Sequence, residues 1–166
     1  EMSSRGLGDV YKRQDKDKQN DFQKTDFGTL LQEIEEDDSK YLRFSRILDN
    51  NPELLNDLDL DWLRKSKSGI NIGEQTFLFM GEGGTITPTH AGLTHTTFIQ
   101  IKGRKKWTLW AQNERFFLDP SAERLLYFYT NADPRKENLK DYPLQPYAKK
   151  YELVLDEGDV LWFPSL

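Results

Sequence analysis

The feature that most constrains this chain is a change of apolar period near residue 75, from helix-like spacing to strand-like alternation. Four runs after that point read as strands: Thr76–Met80, Thr85–Thr89, Thr96–Lys102 and Lys105–Ala111. Gly81-Glu82-Gly83-Gly84 ends the first, Pro88 lies near the end of the second, and Gly103 separates the last two, which predicts a hairpin around it. Residues 112–149 are loop-rich, with Pro120, Pro134, Pro143 and Pro146 and one short aromatic run, Leu125–Thr130. Tyr151–Leu155 and Val160–Phe163 flank the turn Asp156-Glu157-Gly158-Asp159 and predict a last hairpin. Aromatics at 13%, including ten Phe, seven Tyr and four Trp, agree with a mainly β chain.

The N-terminal part reads differently. Residues 1–20 have little apolar mass and no period, so they are expected to be a disordered tail. Within them, MSSRGLGDVYKRQ (2–14) resembles translated sequencing-adapter read-through at the ends of assembled metagenomic reading frames, which implies non-native sequence. Residues 21–74 are expected to form an N-terminal helical segment. Thr29 and Gln32 fit a capping box ahead of Leu30, Leu31 and Ile34, and Asn51-Pro52 fits a second helix start. Asp57, Asp59 and Asp61 alternate with Leu58, Leu60 and Trp62, but the Gly and bidentate Glu of a calcium loop are missing, so these acids read as a solvated face. Residues 75–166 then form the β-core.

Composition excludes several function classes. At 166 residues the chain suits one domain with a real core. A net charge of −5 leaves no footprint for nucleic acid, and the basic run Lys102–Lys106 reads as a hairpin tip. Without Cys there is no disulfide, thiolate nucleophile or Cys-ligated zinc. No apolar run approaches the ~20 residues of a membrane span, and no signal-peptide pattern opens the chain. A cytoplasmic protein is expected.

Thr85–Trp110 holds both histidines and is the expected home of any chemistry. His90 follows Thr87-Pro88 at a strand end, where a ligand can point into a barrel mouth; its structural alternative is a hydrogen-bonded imidazole. His95 lies five residues on, so both could hold one metal only if 91–94 turns. Lys105, Trp107 and Leu109 share one strand face, and Lys106, Thr108 and Trp110 the other. The first set is the better interior candidate. It would aim the Lys105 ammonium inward, where it needs an anion such as a small-molecule carboxylate. A lysine snorkelling at a hairpin end is the alternative.

The stretch FLFMGEGGTITPTHAGLTHTTFIQIKGRKKWTLW resembles the first half of the catalytic core of JmjC and cupin-like oxygenases, which carry a G-x-x-T-P-x-H-x-D pattern and then Q-x-x-G-x-K-x-W. LDEGDVLWFP (155–164) is similar to the later G-D-x-L-x-x-P strand of that family, and NPELLNDL (51–58) to an upstream helix. The resemblance implies a double-stranded β-helix (a cupin or jelly-roll barrel), incomplete here, with N-terminal helices. It also implies Fe(II) in a two-His, one-carboxylate triad and 2-oxoglutarate as cosubstrate. His90 falls on the first metal His, Lys105 on the lysine that pairs with 2-oxoglutarate, and Thr87 on a hydroxyl that helps bind the same carboxylate. Strict alternation would put Thr87 and His90 on opposite faces, so a distortion near Pro88 is expected.

Two departures from the family pattern bear on activity. The carboxylate position is Gly92. Another residue could complete the shell, the slot could hold water or halide as in related halogenases, or metal and activity could be lost. The family's second metal His follows the segment matching Val160–Pro164, and the chain stops at Leu166, so a C-terminally truncated and inactive fragment is expected. The leading expectation for the parent is a hydroxylase of a protein side chain or small molecule. The alternatives are a non-catalytic cupin-like binding module and a halogenase-like variant. No side chain is singled out as catalytic, and the substrate is not legible.

Overall fold

The computed structural model describes residues 8–12, 22–25, 27–36, 40–66, 76–92, 94–121, 128–136 and 138–165. They fall into two compact units, Glu1–Ile86 and Thr87–Leu166.

In the first unit, strand β1 (Gly8–Lys12) lies between β2 (Phe22–Thr25) and β3 (Lys40–Ser45), and β4 (Leu78–Gly81) extends the antiparallel sheet beyond β3. Helix α1 (Phe27–Glu36) presents Phe27, Leu30 and Ile34 at i, i+3 and i+7, one face of a helix. That face meets Leu42, Leu78 and Met80, and Leu30 and Leu42 are fully buried. In β3 the register shifts between Leu42 and Ser45, and Phe44 has φ 54°, in the left-handed region. This bulge turns Phe44 outward, where its ring meets Phe79 at 5.0 Å and Phe77 at 5.6 Å. Helix α2 (Ile47–Asn50), a 3-10 turn (Pro52–Asp57) and helix α3 (Asp61–Ser66) lie between β3 and β4 in the chain.

The sequence expectations for this unit need several corrections. Residues 8–12, expected within a disordered tail, form β1 with a ladder on each side; such pairing comes from neighbouring strands rather than from local period. Residues 1–7 and 13–20 lie outside the described residues. The segment expected as mostly helical contains β3. Thr29 is the third residue of α1, not its cap, because the helix begins at Phe27, whose side chain joins the core. Asn51-Pro52 does open a helical turn, but a 3-10 one. The Asn51 side chain, instead of capping, donates Nδ2–H to the Ile47 carbonyl at 2.9 Å. The solvated reading of the acids agrees with Asp57, Asp59 and Asp61 being exposed.

The second unit contains β5 (His90–Ala91), β6 (Thr96–Ile99), β7 (Lys105–Trp110), a 3-10 turn (Gln112–Leu118), β8 (Phe128–Tyr129), a second 3-10 turn (Gln145–Tyr147), β9 (Lys150–Leu155) and β10 (Val160–Phe163). They make three two-stranded antiparallel ladders: β5 with β8, β6 with β10, and β7 with β9. The strand-rich, antiparallel expectation stands in this coarse form, while no closed barrel forms among the described residues.

Both expected hairpins are re-paired. Gly103 does turn the chain, with φ 70°, and β9 and β10 flank the expected turn, with Gly158 at φ 89°. Yet β6 pairs with β10 and β7 with β9. Packing explains the exchange. The Trp107 ring of β7 lies 5.0 Å from Phe98 of β6 and 5.5 Å from Phe163 of β10, centroid to centroid, so aromatic faces of the two ladders cover each other. A local hairpin would put Phe98 and Trp107 on one sheet and leave that face uncovered. Thr85–Thr89 is not a strand; strand geometry begins only at His90, after Pro88, which has no N–H to donate.

Candidate functional site

The β7–β9 ladder decides which way Lys105 faces. Residues directly opposite in an antiparallel pair share a face. Lys105 lies opposite Leu155, which is 5% exposed, and Trp107 opposite Leu153. On the other face Lys106, Thr108 and Trp110 lie opposite Val154, Glu152 and Lys150. Glu152 there bridges Lys106 at 3.0 Å and Lys150 at 3.5 Å in the open. The hydrogen bond from Lys106 holds the Glu152 carboxyl below its usual range, with the Lys150 charge adding to it. The outer face thus carries the solvated ion pairs, and Lys105 shares the inner face with Trp107. The Lys105 Nζ lies 6.0 Å from the Phe98 ring centroid, within reach of the ring quadrupole, and the side chain is half-buried.

Trp107 brings a second polar group to this face. Its Nε1 is buried and has no hydrogen-bond partner among the described residues. An indole N–H can only donate, and a lysine ammonium can only donate. The face therefore offers donors of positive character in an aromatic setting, which suits an acceptor-only group such as a carboxylate.

His90 opens β5, with Tyr129 of β8 directly opposite. Its Nδ1 lies 2.8 Å from the Pro88 carbonyl oxygen. A carbonyl only accepts, so Nδ1 carries the proton; in the neutral ring Nε2 then keeps the lone pair. Thr87 is half-buried in the irregular segment before it, so the opposite-face rule for strands does not apply. His90 and Lys105 stand on separate ladders of the same unit.

His95 is engaged otherwise. Its Nδ1 accepts the Ser165 N–H at 3.0 Å, and its ring stacks on Trp162 at 5.7 Å. It joins the start of β6 to the end of β10. Gly92 leaves room for a side chain: a Cβ there would meet only the Thr94 backbone, at 3.9 and 4.0 Å. Among the described residues no three His, Cys, Asp or Glu side chains cluster as a metal-binding set. The described residues thus do not make a complete iron site.

Phe98, Leu155 and Tyr129 were not foreseen as neighbours of the site. The period of two on each strand could have marked Phe98 and Leu155 as face residues, but nothing local pairs β6 with β10 or β7 with β9.

A family model for the cupin-like domain matches residues 3–166, beginning inside the stretch that resembles adapter sequence. JmjC domain-containing protein D of Dictyostelium discoideum is 28% identical over 138 residues, 77% of this chain and 31% of that protein. Lysine-specific demethylase 8 of Danio rerio is 28% identical over 130 residues, 78% of this chain and 32% of that protein. The 2-oxoglutarate and iron-dependent oxygenase JMJD4 of Danio rerio is 27% identical over 107 residues, 63% of this chain and 25% of that protein. The chain thus spans about a third or less of the length of these relatives. No helix among the described residues is long and apolar enough to cross a membrane. With its antiparallel ladders and a match over nearly its whole length, the chain belongs to the cupin-like domain family and has distant relatives among the JmjC oxygenases.

Proposed function

We propose that this chain supplies the 2-oxoglutarate-binding part and one metal imidazole of an Fe(II)/2-oxoglutarate-dependent oxygenase built on a double-stranded β-helix, acting on a protein side chain or a small molecule. The observation that carries the reading is Lys105, on the same face as buried Leu155 and beside Phe98. A cation held against apolar groups is stabilised by an anion of the right shape. Lys105 would neutralise a carboxylate of 2-oxoglutarate, Thr87 would add a hydroxyl donor to it, and His90 would present Nε2 to the metal. Iron with 2-oxoglutarate supplies the oxidising chemistry when both are bound. The described residues do not complete the metal's ligand set.

That missing set, together with Gly92, favours a second reading: a cupin-like module that binds a carboxylate ligand without catalysis. Calorimetry with 2-oxoglutarate tests the shared part. Binding by the wild-type chain and its loss in Lys105→Met are expected; equal affinity in the two proteins would sink the assignment of Lys105. Co(II) titration separates the readings. Binding that disappears in His90→Ala supports the oxygenase, and no binding supports the module.

A further inference from the structure

We infer that the groove between the 3-10 turn Pro52–Asp57 and the start of α3 docks a polypeptide partner, a segment whose apolar side chain enters the groove and whose lysines or arginines meet the carboxylates along its rim. The surface is built wholly from the first unit, and the inference is independent of the oxygenase reading and its residues.

The large apolar side chains Leu54, Leu55, Leu58, Leu60 and Trp62 follow one another closely here, and none of them is buried. Leu54 is 48% exposed and Trp62 45%, whereas Leu30, Ile34 and Leu42 make the buried core of this unit. A groove of about 350 Å³ opens in this segment, with Leu55, Leu58 and Leu60 as its apolar lining and Asn56, Asp59 and Asp61 as its polar one. Clustered exposed apolar groups with a polar rim mark interaction surfaces. Local hydrogen bonds fix the walls. The Leu54 N–H donates to the Asn51 carbonyl at 3.1 Å, the Leu58 N–H to the Leu55 carbonyl at 3.1 Å, and the Asp61 N–H to the Asp59 carboxylate at 3.2 Å. A groove held in this way needs little further ordering when a ligand enters.

Charge selects the occupant. Residues 51–62 carry Glu53, Asp57, Asp59 and Asp61 and no Lys or Arg; Arg64 and Lys65 follow in α3. Arg46, before the segment, pairs with Asp49. Glu53, Asp57 and Asp59 are exposed and form no ion pair among the described residues. Such a rim repels acidic peptides and anionic lipid and attracts cations. Among the described residues no three His, Cys, Asp or Glu side chains converge on a metal position. Carboxylates spread around an apolar groove match a chain with separated cations on either side of an apolar residue, not one compact ion.

Fluorescence anisotropy with the 166-residue chain tests this. The probe is a fluorescein-labelled peptide with the core Lys-Gly-Leu-Gly-Arg, and peptides with Glu-Gly-Leu-Gly-Glu and Lys-Gly-Ser-Gly-Arg cores are the controls. The probe is expected to bind with a Kd on the order of 0.1 mM, about tenfold tighter than either control, and to weaken as sodium chloride is added. The double substitution Asp57→Asn, Asp59→Asn removes two charges and keeps an oxygen to accept the Asp61 N–H. It should weaken the probe about fivefold with an unchanged circular dichroism spectrum. Leu58→Ala should weaken it through the apolar lining. Equal binding of the acidic control, wild-type affinity in the doubly neutralised chain, or no binding of the probe overturns the inference. A dimer in sedimentation that Leu58→Ala dissociates and that excludes the probe would give the groove to a second copy and overturn it too. The peptide comparison and the salt dependence are read on the wild-type chain, so a misfolded variant does not blunt the test.

Discussion

The backbone N–H of Gly103 donates to the Glu157 carboxylate at 2.8 Å, joining the turn between β6 and β7 to the turn between β9 and β10. Lys102 reaches the same oxygen at 3.3 Å. Two backbone bonds reinforce the join: Gln100 N–H to the Asp159 carbonyl at 3.0 Å, and Gly158 N–H to the Gln100 carbonyl at 2.8 Å. This clasp lies at the end of the ladders where Lys105 enters β7.

The clasp should be pH-sensitive. The Gly103 N–H, and secondarily Lys102, hold the Glu157 carboxyl below its usual range. A carboxylate with a depressed folded pKa contributes stability that is fully present above its unfolded pKa and is lost as pH falls through the folded value. The protection factor of the Gly103 amide, its exchange rate corrected for the intrinsic pH dependence, should therefore fall as pH drops through the lowered Glu157 value. Glu157→Gln should remove that pH dependence while keeping the fold. An identical acid profile in wild type and Glu157→Gln would assign the effect to another group.

The first unit should depend on Leu42. It is fully buried between α1 and the sheet, beside Leu30 and Ile34. Leu42→Ala is expected to cost about 2–5 kcal/mol, from lost transfer energy and the cavity left behind. Chemical denaturation followed by far-ultraviolet circular dichroism measures it. A loss below about 1 kcal/mol would mean that the core collapses around the gap or is not packed as described.

Position 92 should accept a carboxylate. A Cβ there meets only ordinary contacts, so Gly92→Asp is expected to fold like wild type. It should tighten Co(II) binding about tenfold, or ~1.4 kcal/mol, through His90. His90→Ala in the Gly92→Asp background should abolish the gain. His95→Gln should leave it intact, since the His95 Nδ1 is taken up by the Ser165 N–H. A gain that survives His90→Ala would place the metal elsewhere.

Local chemistry determined much by itself. The alternation in Lys105–Trp110 marked the face shared by Lys105 and Trp107, the glycines at 103 and 158 marked turns, and the lack of Cys closed off thiol chemistry. The order of motifs around Thr87, His90 and Lys105 pointed to the cupin-like family. Only the tertiary structure decided which strands pair. It exchanged both expected hairpins for the β6–β10 and β7–β9 ladders, placed Gly8–Lys12 in a sheet, and engaged His95 in joining β6 to β10. The physical reason is that strand period is a property of a few neighbouring residues. The choice of partner depends on which apolar faces cover one another, and Phe163 lies far along the chain from Phe98 and Trp107. The tautomer of His90 and the unmet donor of Trp107 depend on single hydrogen bonds, which no residue pattern encodes.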